Sequence, residues 1–566
     1  MVIPMPPSVE NWLNKIRRWF LLHPYWTLTL LVLAALGPFL TKPFNIDDPL
    51  FIWTAHQIQA HPGNPYGFNV NWYGSMDPMW NVTKNPPLVC YYLALAAGIF
   101  GWSETALHFA FLLPAVAAII GTYQLARRFC DHPMLAALVT LFTPVFLISS
   151  TTVMCDVPML ALWVWAVVLW VDGMKQNDFG RLAGAGLLIA LAALTKYFGL
   201  CLIPLLAACS LMNQRRLGRW TVYLLIPLAA LGVYQLATRI LYGHGIFSLA
   251  TSYPVSIGEF YQFSRMTTGL KALTFTGGCL AGVFFFAPLF WRRRMWTVCL
   301  AGAALLACAC FWSEAGLKKH YSWIPDSSWA SVEIQMVFWA IGGVGVLALA
   351  VADVWRRRDA RAWLLALWVF GTFLFTAFFN WTVNGRSLLP MAPAVGILLA
   401  RHLEQKILAG RKTWTLGVII CFIAGAAFAL LATRADFLLA TAVRQSARQV
   451  CAKYGGKSRM LWFEGHWGFQ YYMNTLGASA LDLKHSAIDA GDNLALPVNN
   501  INIIPPDRQK VTILDTLTIP GPNLFATLSG TIGADFYASF LGPLPFAFGR
   551  VPPEKVFVVT PKPISH

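Results

Sequence analysis

The sequence predicts a mainly α-helical, polytopic membrane protein of about 13 transmembrane helices, followed by a C-terminal extracytoplasmic α/β or α+β domain. Three observations lead there. Of the 566 residues, 57% are hydrophobic and only 12% charged, whereas a soluble domain carries roughly 25% charged residues. The apolar residues gather into runs such as 26–40 and 417–431, close to the roughly 20 residues that cross a bilayer as a helix satisfying its own backbone hydrogen bonds. Twenty-one of the 42 Lys and Arg residues fall in seven short clusters at alternate ends of these runs, as the positive-inside rule expects of cytoplasmic loops.

The clusters orient the chain. They are Lys15, Arg17 and Arg18; Arg127 and Arg128; Lys175 and Arg181; Arg215, Arg216 and Arg219; Arg292, Arg293 and Arg294; Arg356, Arg357, Arg358 and Arg361; and Arg401, Lys406, Arg411 and Lys412. Because the net charge of +17 is accounted for by loop anchoring, it does not point to nucleic acid. With these anchors inside, spans are expected at 24–42, 104–126, 134–151, 157–172, 182–195, 197–213, 221–242, 274–291, 295–313, 334–352, 362–380, 387–401 and 414–432. The first run is long and lacks a small-residue cleavage site, so it reads as a retained helix in the inner membrane with the N-terminus cytoplasmic. Ten of the 11 cysteines lie in or beside apolar segments, and Cys451 is alone in the tail, so no disulfide framework is expected there.

Two domains follow: a transmembrane domain over 1–435 and a soluble, periplasmic or extracellular domain over 436–566. Within the first, the outer loop 42–103 is long and holds two candidate amphipathic helices, 51–60 and 88–100, read as interfacial or re-entrant. In the second, 441–454 and 468–475 read as helices and 459–463, 511–519 and 555–560 as strands, an alternation that suggests α/β or α+β architecture.

Acidic residues are scarce in the membrane part, so those at the outer surface are informative. Asp47 and Asp48 follow the first span and precede Pro49; two adjacent carboxylates there can deprotonate an acceptor hydroxyl or bind a divalent cation, or form only a solvated loop end. Asp156, in Met154-Cys155-Asp156-Val157-Pro158, sits where one span turns into the next, a position that suits both an N-cap and a site carboxylate. Lys196 interrupts two apolar runs near the outer face; it reads as a partner for an anion such as phosphate, or as a snorkelling helix-end lysine. Lys84, Arg239, Arg265, Lys271, Lys318, Lys319, His320 and Arg386 complete the outer cations, and Arg386, in Asn384-Gly385-Arg386-Ser387-Leu388-Leu389-Pro390, begins a span. Trp72, Tyr73 and Trp80 fit a sugar-stacking surface or an interfacial aromatic belt. The turn Glu464-Gly465-His466-Trp467-Gly468 carries a lone His, which does not make a metal site.

With these residues the chain resembles the membrane glycosyltransferases of the GT-C superfamily, in the branch of protein O-mannosyltransferases and lipid A aminoarabinose transferases. Over roughly the first 400 residues the family's parts occur in order. They are Asp47-Asp48, Asn85-Pro86-Pro87-Leu88 with Tyr91 and Tyr92, Ile99-Phe100-Gly101, Arg127-Arg128, Asp156-Val157-Pro158, Leu194-Thr195-Lys196 and Arg386-Ser387-Leu388-Leu389-Pro390. The resemblance implies inverting transfer of a sugar from a polyprenyl-phosphate donor. It implies Asp47 as the carboxylate activating the acceptor hydroxyl, Asp156 and Asp48 as further active-site carboxylates, and Lys196, Arg386 and Lys84 as contacts to the donor phosphate. No resident metal or other cofactor is implied beyond the divalent cation that Asp47 and Asp48 leave open. The partners implied are the lipid donor, membrane lipid and a lipid, protein or polysaccharide acceptor, without nucleic acid. Asn85 departs from the family's frequent His or Lys, Asp48 from its Glu, and Tyr197-Phe198 from its Gly-Pro. A secondary transporter or another lipid-binding protein is the alternative reading, but a transporter is expected to show internal repeats and charges at helix centres, and neither is visible here.

Overall fold

Prolines and short polar caps set the helix boundaries. A computed structural model describes residues 22–258, 263–290, 293–407, 412–456, 459–507 and 509–562, so Lys15, Arg17, Arg18, Arg292 and Arg411 lie outside the described residues. Ser103, Asp178 and Asp359 accept hydrogen bonds from the backbone N–H of Ala106, Arg181 and Ala362, satisfying donors that a helix start leaves open. They open the helices Glu104–Ala126, Phe179–Thr195 and Ala360–Leu374.

Each expected span falls on one helix or on two consecutive ones. Among the described residues seven helices are long and apolar enough to cross a membrane: Glu104–Ala126, Asp156–Gln176, Tyr197–Gln214, Trp220–Tyr242, Asp326–Arg357, Ala360–Phe379 and Leu416–Tyr454. The count rises to nine if two bent pairs each form one span. The pair Pro133–Leu141 and Pro144–Ser150 meets at 61°, because Pro144 lacks the N–H to continue the helix and Thr143 caps the next one through Phe146 N–H. Arg265–Cys279 and Gly282–Leu289 meet at 80°. Pro24–Phe39 and Phe179–Thr195 are apolar but short. Packing is close where side chains are small: a Cβ on Gly277 would lie 1.8 Å from the Trp339 carbonyl oxygen, so the helix Arg265–Cys279 rests on Asp326–Arg357 nearly backbone to backbone.

The loop 42–103 folds into the helices Asp48–Ala60 and Leu88–Phe100 with a two-stranded ribbon, Asn69–Asn71 and Met76–Pro78, between them. In Asp48–Ala60 the buried face is Phe51, Ile52, Ala55 and Ile58, a helical spacing. Leu88–Phe100 is apolar on its exposed face as well, with Leu95, Ile99 and Phe100 outward, so it is not amphipathic.

The helix Lys412–Tyr454 runs through residue 436 and leads into a five-stranded sheet. The strand order is Ser479–Ala480, Leu461–Phe463, Asn493–Pro497, Glu554–Pro561, Val511–Ile519; the first two pairings are parallel and the last two antiparallel. The helix Trp467–Thr475 crosses between the parallel strands 461–463 and 479–480, and the end of the long helix covers the same core, in which Val450, Phe463, Phe469, Met473 and Val558 pack. The central strand Asn493–Pro497 was not expected; all five of its residues are buried, so it lacks the alternation that marks a half-exposed strand. Glu104 joins this region to the membrane helices, accepting from Arg444 Nη1 and from the Tyr472 hydroxyl, each at 2.5 Å.

Candidate active site

Asp47 follows the first apolar segment at a strained bend. Ile46 before it has φ of 50°, a left-handed conformation that a β-branched residue adopts only when its surroundings enforce it. Ile46 is 2% exposed and packed in the core. The bend separates the two neighbouring carboxylates. Asp47 lines a large cavity and pairs with Arg386 Nη1 at 2.8 Å. Asp48 is fully buried and does not line it; its Oδ1 accepts from Val153 N–H at 2.9 Å and its Oδ2 from Asn45 N–H at 3.0 Å. Burial pushes Asp48 up to about 7 against the pull of Lys42 and of those two N–H groups. Its place is that of a clamp between the bend and residue 153, and the adjacent pair offers no shared cation site. Among the described residues no group of three or more His, Cys, Asp or Glu gathers to hold a metal ion.

The second pair lies at a helix break. The helix Phe179–Thr195 stops at Lys196, whose extended backbone (φ −152°, ψ 129°) leads into the 3₁₀ turn Tyr197–Cys201. Lys196 Nζ donates to Asp156 Oδ1 at 2.6 Å. Asp156 begins its own helix and is 1% exposed, and its Oδ2 has no hydrogen-bond partner among the described residues. It therefore lies beneath Lys196, behind the cavity wall.

The short helix Gly385–Leu388 carries Arg386, with Asn384 Oδ1 accepting from Ser387 N–H at 2.8 Å as its cap. The guanidinium also donates from Nη2 to the Tyr537 carbonyl at 3.4 Å, while its buried Nε has no hydrogen-bond partner among the described residues. Lys84, on the loop between Val82 and Asn85, donates from Nζ to the Asn81 carbonyl and sits 5.1 Å from the centre of the Tyr253 ring. Partial burial holds its ammonium below the ordinary lysine range, and it forms no ion pair with a carboxylate among the described residues.

Asp47, Lys84, Lys196 and Arg386 thus open onto one cavity of about 1870 Å³, larger than the roughly 300–1,000 Å³ of a small-molecule pocket. Tyr197, Phe198, Phe247, Tyr253, Phe375 and Trp381 give it an apolar side, and Trp72 and Tyr73 from the outer loop also line it. Trp80 instead stacks on Tyr242 and His244. Of the remaining expected cations only His320 reaches the cavity; Lys318 pairs with Glu314 at 2.5 Å, and Lys271 is buried beside the Phe263 ring.

The far wall was not anticipated. It comes from the C-terminal region: Pro497 and the following residues 498–503, Ser529, Thr531, Tyr537 and Glu554. Asn499 Nδ2 donates to Glu554 Oε1 at 2.9 Å, and burial pushes the Glu554 carboxyl up to about 7. Beneath the site Lys42 and Asp436, both 0% exposed, form an ion pair that Thr527 Oγ1 (2.9 Å) and the Tyr537 hydroxyl (2.8 Å) complete through Asp436. Lys42 stands at the end of the first apolar run, a buried charge that demands a partner; that was the available sequence signal.

Residues 84–238 match the family model for dolichyl-phosphate-mannose-protein mannosyltransferase. The matched segment contains Lys84, Asp156 and Lys196, and over it the chain is similar to the protein O-mannosyltransferase branch of the GT-C superfamily. Three solved structures are similar in fold. The apo oligosaccharyltransferase of Archaeoglobus fulgidus is 13% identical with a TM-score of 0.47, covering 82% of this chain and 65% of its own. ArnT from Cupriavidus metallidurans, bound to undecaprenyl phosphate, is 14% identical with a TM-score of 0.40, covering 85% and 92%. Arabinofuranosyltransferase AftD from Mycobacteria is 11% identical with a TM-score of 0.40, covering 97% and 40%. This chain spans slightly under two thirds of the oligosaccharyltransferase's length. No curated protein matches the sequence.

Proposed function

We propose that this protein is a glycosyltransferase that moves a sugar from a polyprenyl-phosphate donor to an acceptor hydroxyl at the outer face of the cytoplasmic membrane, with inversion at the anomeric carbon. The observation that carries the reading is the convergence of Asp47, Arg386, Lys196 and Lys84 on one cavity with an apolar side. The family match over residues 84–238 supports it.

The chemistry follows from the charges. The donor's isoprenoid chain lies along the apolar side, and its phosphate is held by Arg386, Lys196 and Lys84. Arg386 Nε, buried and without a partner among the described residues, is the N–H left for a phosphate oxygen while Nη1 stays on Asp47. The acceptor oxygen attacks the anomeric carbon opposite the phosphate and its proton passes to Asp47. The bond between the anomeric carbon and the phosphate oxygen breaks, and its electron pair leaves on polyprenyl phosphate. Cationic donors fixed in place stabilise that developing charge without reorganising. Asp156 orients Lys196. The 1–435 and 436–566 regions work as one unit in this reading, since the far wall of the cavity is C-terminal.

The test is transfer of labelled sugar from polyprenyl-phosphate sugars by purified wild type and Asp47→Asn, with a membrane extract supplying acceptors. Removing a general base lowers turnover by roughly 10²–10⁴-fold. Wild-type turnover in a folded Asp47→Asn protein would remove Asp47 from that role.

A further inference from the structure

The C-terminal turn between residues 535 and 541 reaches the group that would meet the donor phosphate. Asp535, fully buried, builds that turn with its own side chain: Oδ1 accepts from the backbone N–H of Tyr537 and Ala538 at 3.1 and 3.0 Å, and Oδ2 from Phe540 and Leu541 at 2.8 and 3.0 Å. A carboxylate taking four backbone donors fixes a turn that has no regular secondary structure to hold it.

The turn is docked against the helix that carries Arg386. Gly385 N–H donates to the Phe536 carbonyl at 2.8 Å, and a Cβ on Gly385 would lie 2.2 Å from the Phe536 ring, so only glycine permits this approach. Thr382 Oγ1 and Ser539 Oγ are 2.8 Å apart, and the Tyr321 hydroxyl donates to the Ser539 carbonyl at 2.8 Å. Tyr537 then meets Arg386 twice. Its carbonyl accepts from Nη2 at 3.4 Å, and its ring lies 5.8 Å from the guanidinium carbon. The ring is held from behind, because its hydroxyl donates to Asp436, which pairs with Lys42. Lys42 and Asp47 lie on one short stretch of chain, so both sides of the Asp47–Arg386 pair are tied to the same buried network.

We infer that Tyr537 is a positioning residue for Arg386: on a turn built by Asp535, it holds the guanidinium at the angle that serves Asp47 and the donor phosphate together. The inference rests on the donor-phosphate reading above and extends it to a residue outside the family match. Without the tether the guanidinium keeps its charge but loses its orientation, so recognition of a phosphate falls while recognition of the isoprenoid chain does not.

The experiment measures binding of farnesyl phosphate and of farnesol to the full-length protein in detergent. Wild type is expected to prefer the phosphate. Tyr537→Phe cuts the tie to Asp436 while preserving volume, and Tyr537→Leu removes the ring. Each is expected to weaken farnesyl phosphate by about tenfold or less, the scale of one hydrogen bond or one cation–π contact, and to leave farnesol within twofold. In an Arg386→Lys background the Tyr537→Phe effect should vanish, because residues acting through one group are not additive. Equal weakening of both ligands, or an undiminished effect beside Arg386→Lys, would overturn the assignment and make Tyr537 merely structural; the Phe variant decides if the Leu variant does not fold. Equal wild-type affinity for the two ligands would instead remove the donor-phosphate reading, and the role of Tyr537 with it.

Discussion

Replacing Lys196 with Ala separates what the Lys196–Asp156 pair does for the fold from what it does for the donor. Lys196 Nζ is the hydrogen-bond partner of Asp156 Oδ1 at 2.6 Å, and Asp156 Oδ2 has none among the described residues. The Asp156 side chain is 1% exposed and that of Lys196 20%. Truncating Lys196 removes the hydrogen-bonded cation from a buried carboxylate and leaves Arg386 acting on it only through space; breaking a buried pair from one side costs about 3–5 kcal/mol. The partial exposure of the lysine places this case at the lower end. Adding Asp156→Asn removes the orphaned charge, so the double variant should recover most of the lost stability. It should not recover the donor. A charge-assisted hydrogen bond to phosphate contributes about 1.5–3 kcal/mol, or roughly 10- to 150-fold in kcat/KM for the donor. Thermal unfolding in detergent and donor kinetics on the same preparations read both effects. A single variant as stable as wild type would show that the pair is not a buried-charge clamp, and a double variant with wild-type donor kinetics would remove Lys196 from the phosphate site.

Other consequences can be measured independently. Gly385→Ala drives a methyl into the Phe536 ring and should cost about 1–3 kcal/mol by overpacking, with a raised donor KM because Arg386 is the next residue; unchanged unfolding and kinetics would contradict the close approach. Glu554→Gln should flatten the pH dependence of stability. The folded carboxyl is raised from 4.5 to about 7, so between those values the unfolded chain ionises while the folded one stays protonated. Wild type therefore loses stability as pH rises through that window, by up to about 3 kcal/mol, whereas the variant loses none of it. Parallel unfolding curves from pH 4.5 to 8 for the two proteins would show that Glu554 is not held protonated by burial.

The sequence carried the helices well and the breaks within them less well. Apolar runs bounded by Arg127-Arg128 or capped by Asp178 and Asp359 leave a plain trace, and their ends lie close to the helices observed. A single residue type decides the exceptions: Pro144 after a capping Thr143 turns one expected span into two bent halves, which hydropathy alone does not register. The polar side chains that line the cavity were found for a physical reason, since a charge at the end of an apolar run is conspicuous. Which carboxylate pairs with which cation was not legible. Asp47 and Asp48 are equivalent as sequence, and the left-handed backbone at Ile46 sends one to Arg386 and the other to backbone N–H groups. The C-terminal wall was hidden for the opposite reason. Asp535 acts through backbone donors, and Tyr537 meets Arg386 with its carbonyl and ring across a long sequence separation, so neither leaves a pattern of spacing; the strand Asn493–Pro497 is buried on both faces and ends in proline.

The measurement that tests the central claim most directly uses a polyprenyl-phosphate sugar labelled separately in the sugar and in the phosphate. The purified protein is supplied with membrane extract, and both labels are followed in one reaction. Transfer by the proposed route predicts one polyprenyl monophosphate released for each sugar appearing in the acceptor, in wild type and not in Asp47→Asn. Sugar incorporation without monophosphate release, or release of both labels together from the membrane without any bond to an acceptor, would contradict it.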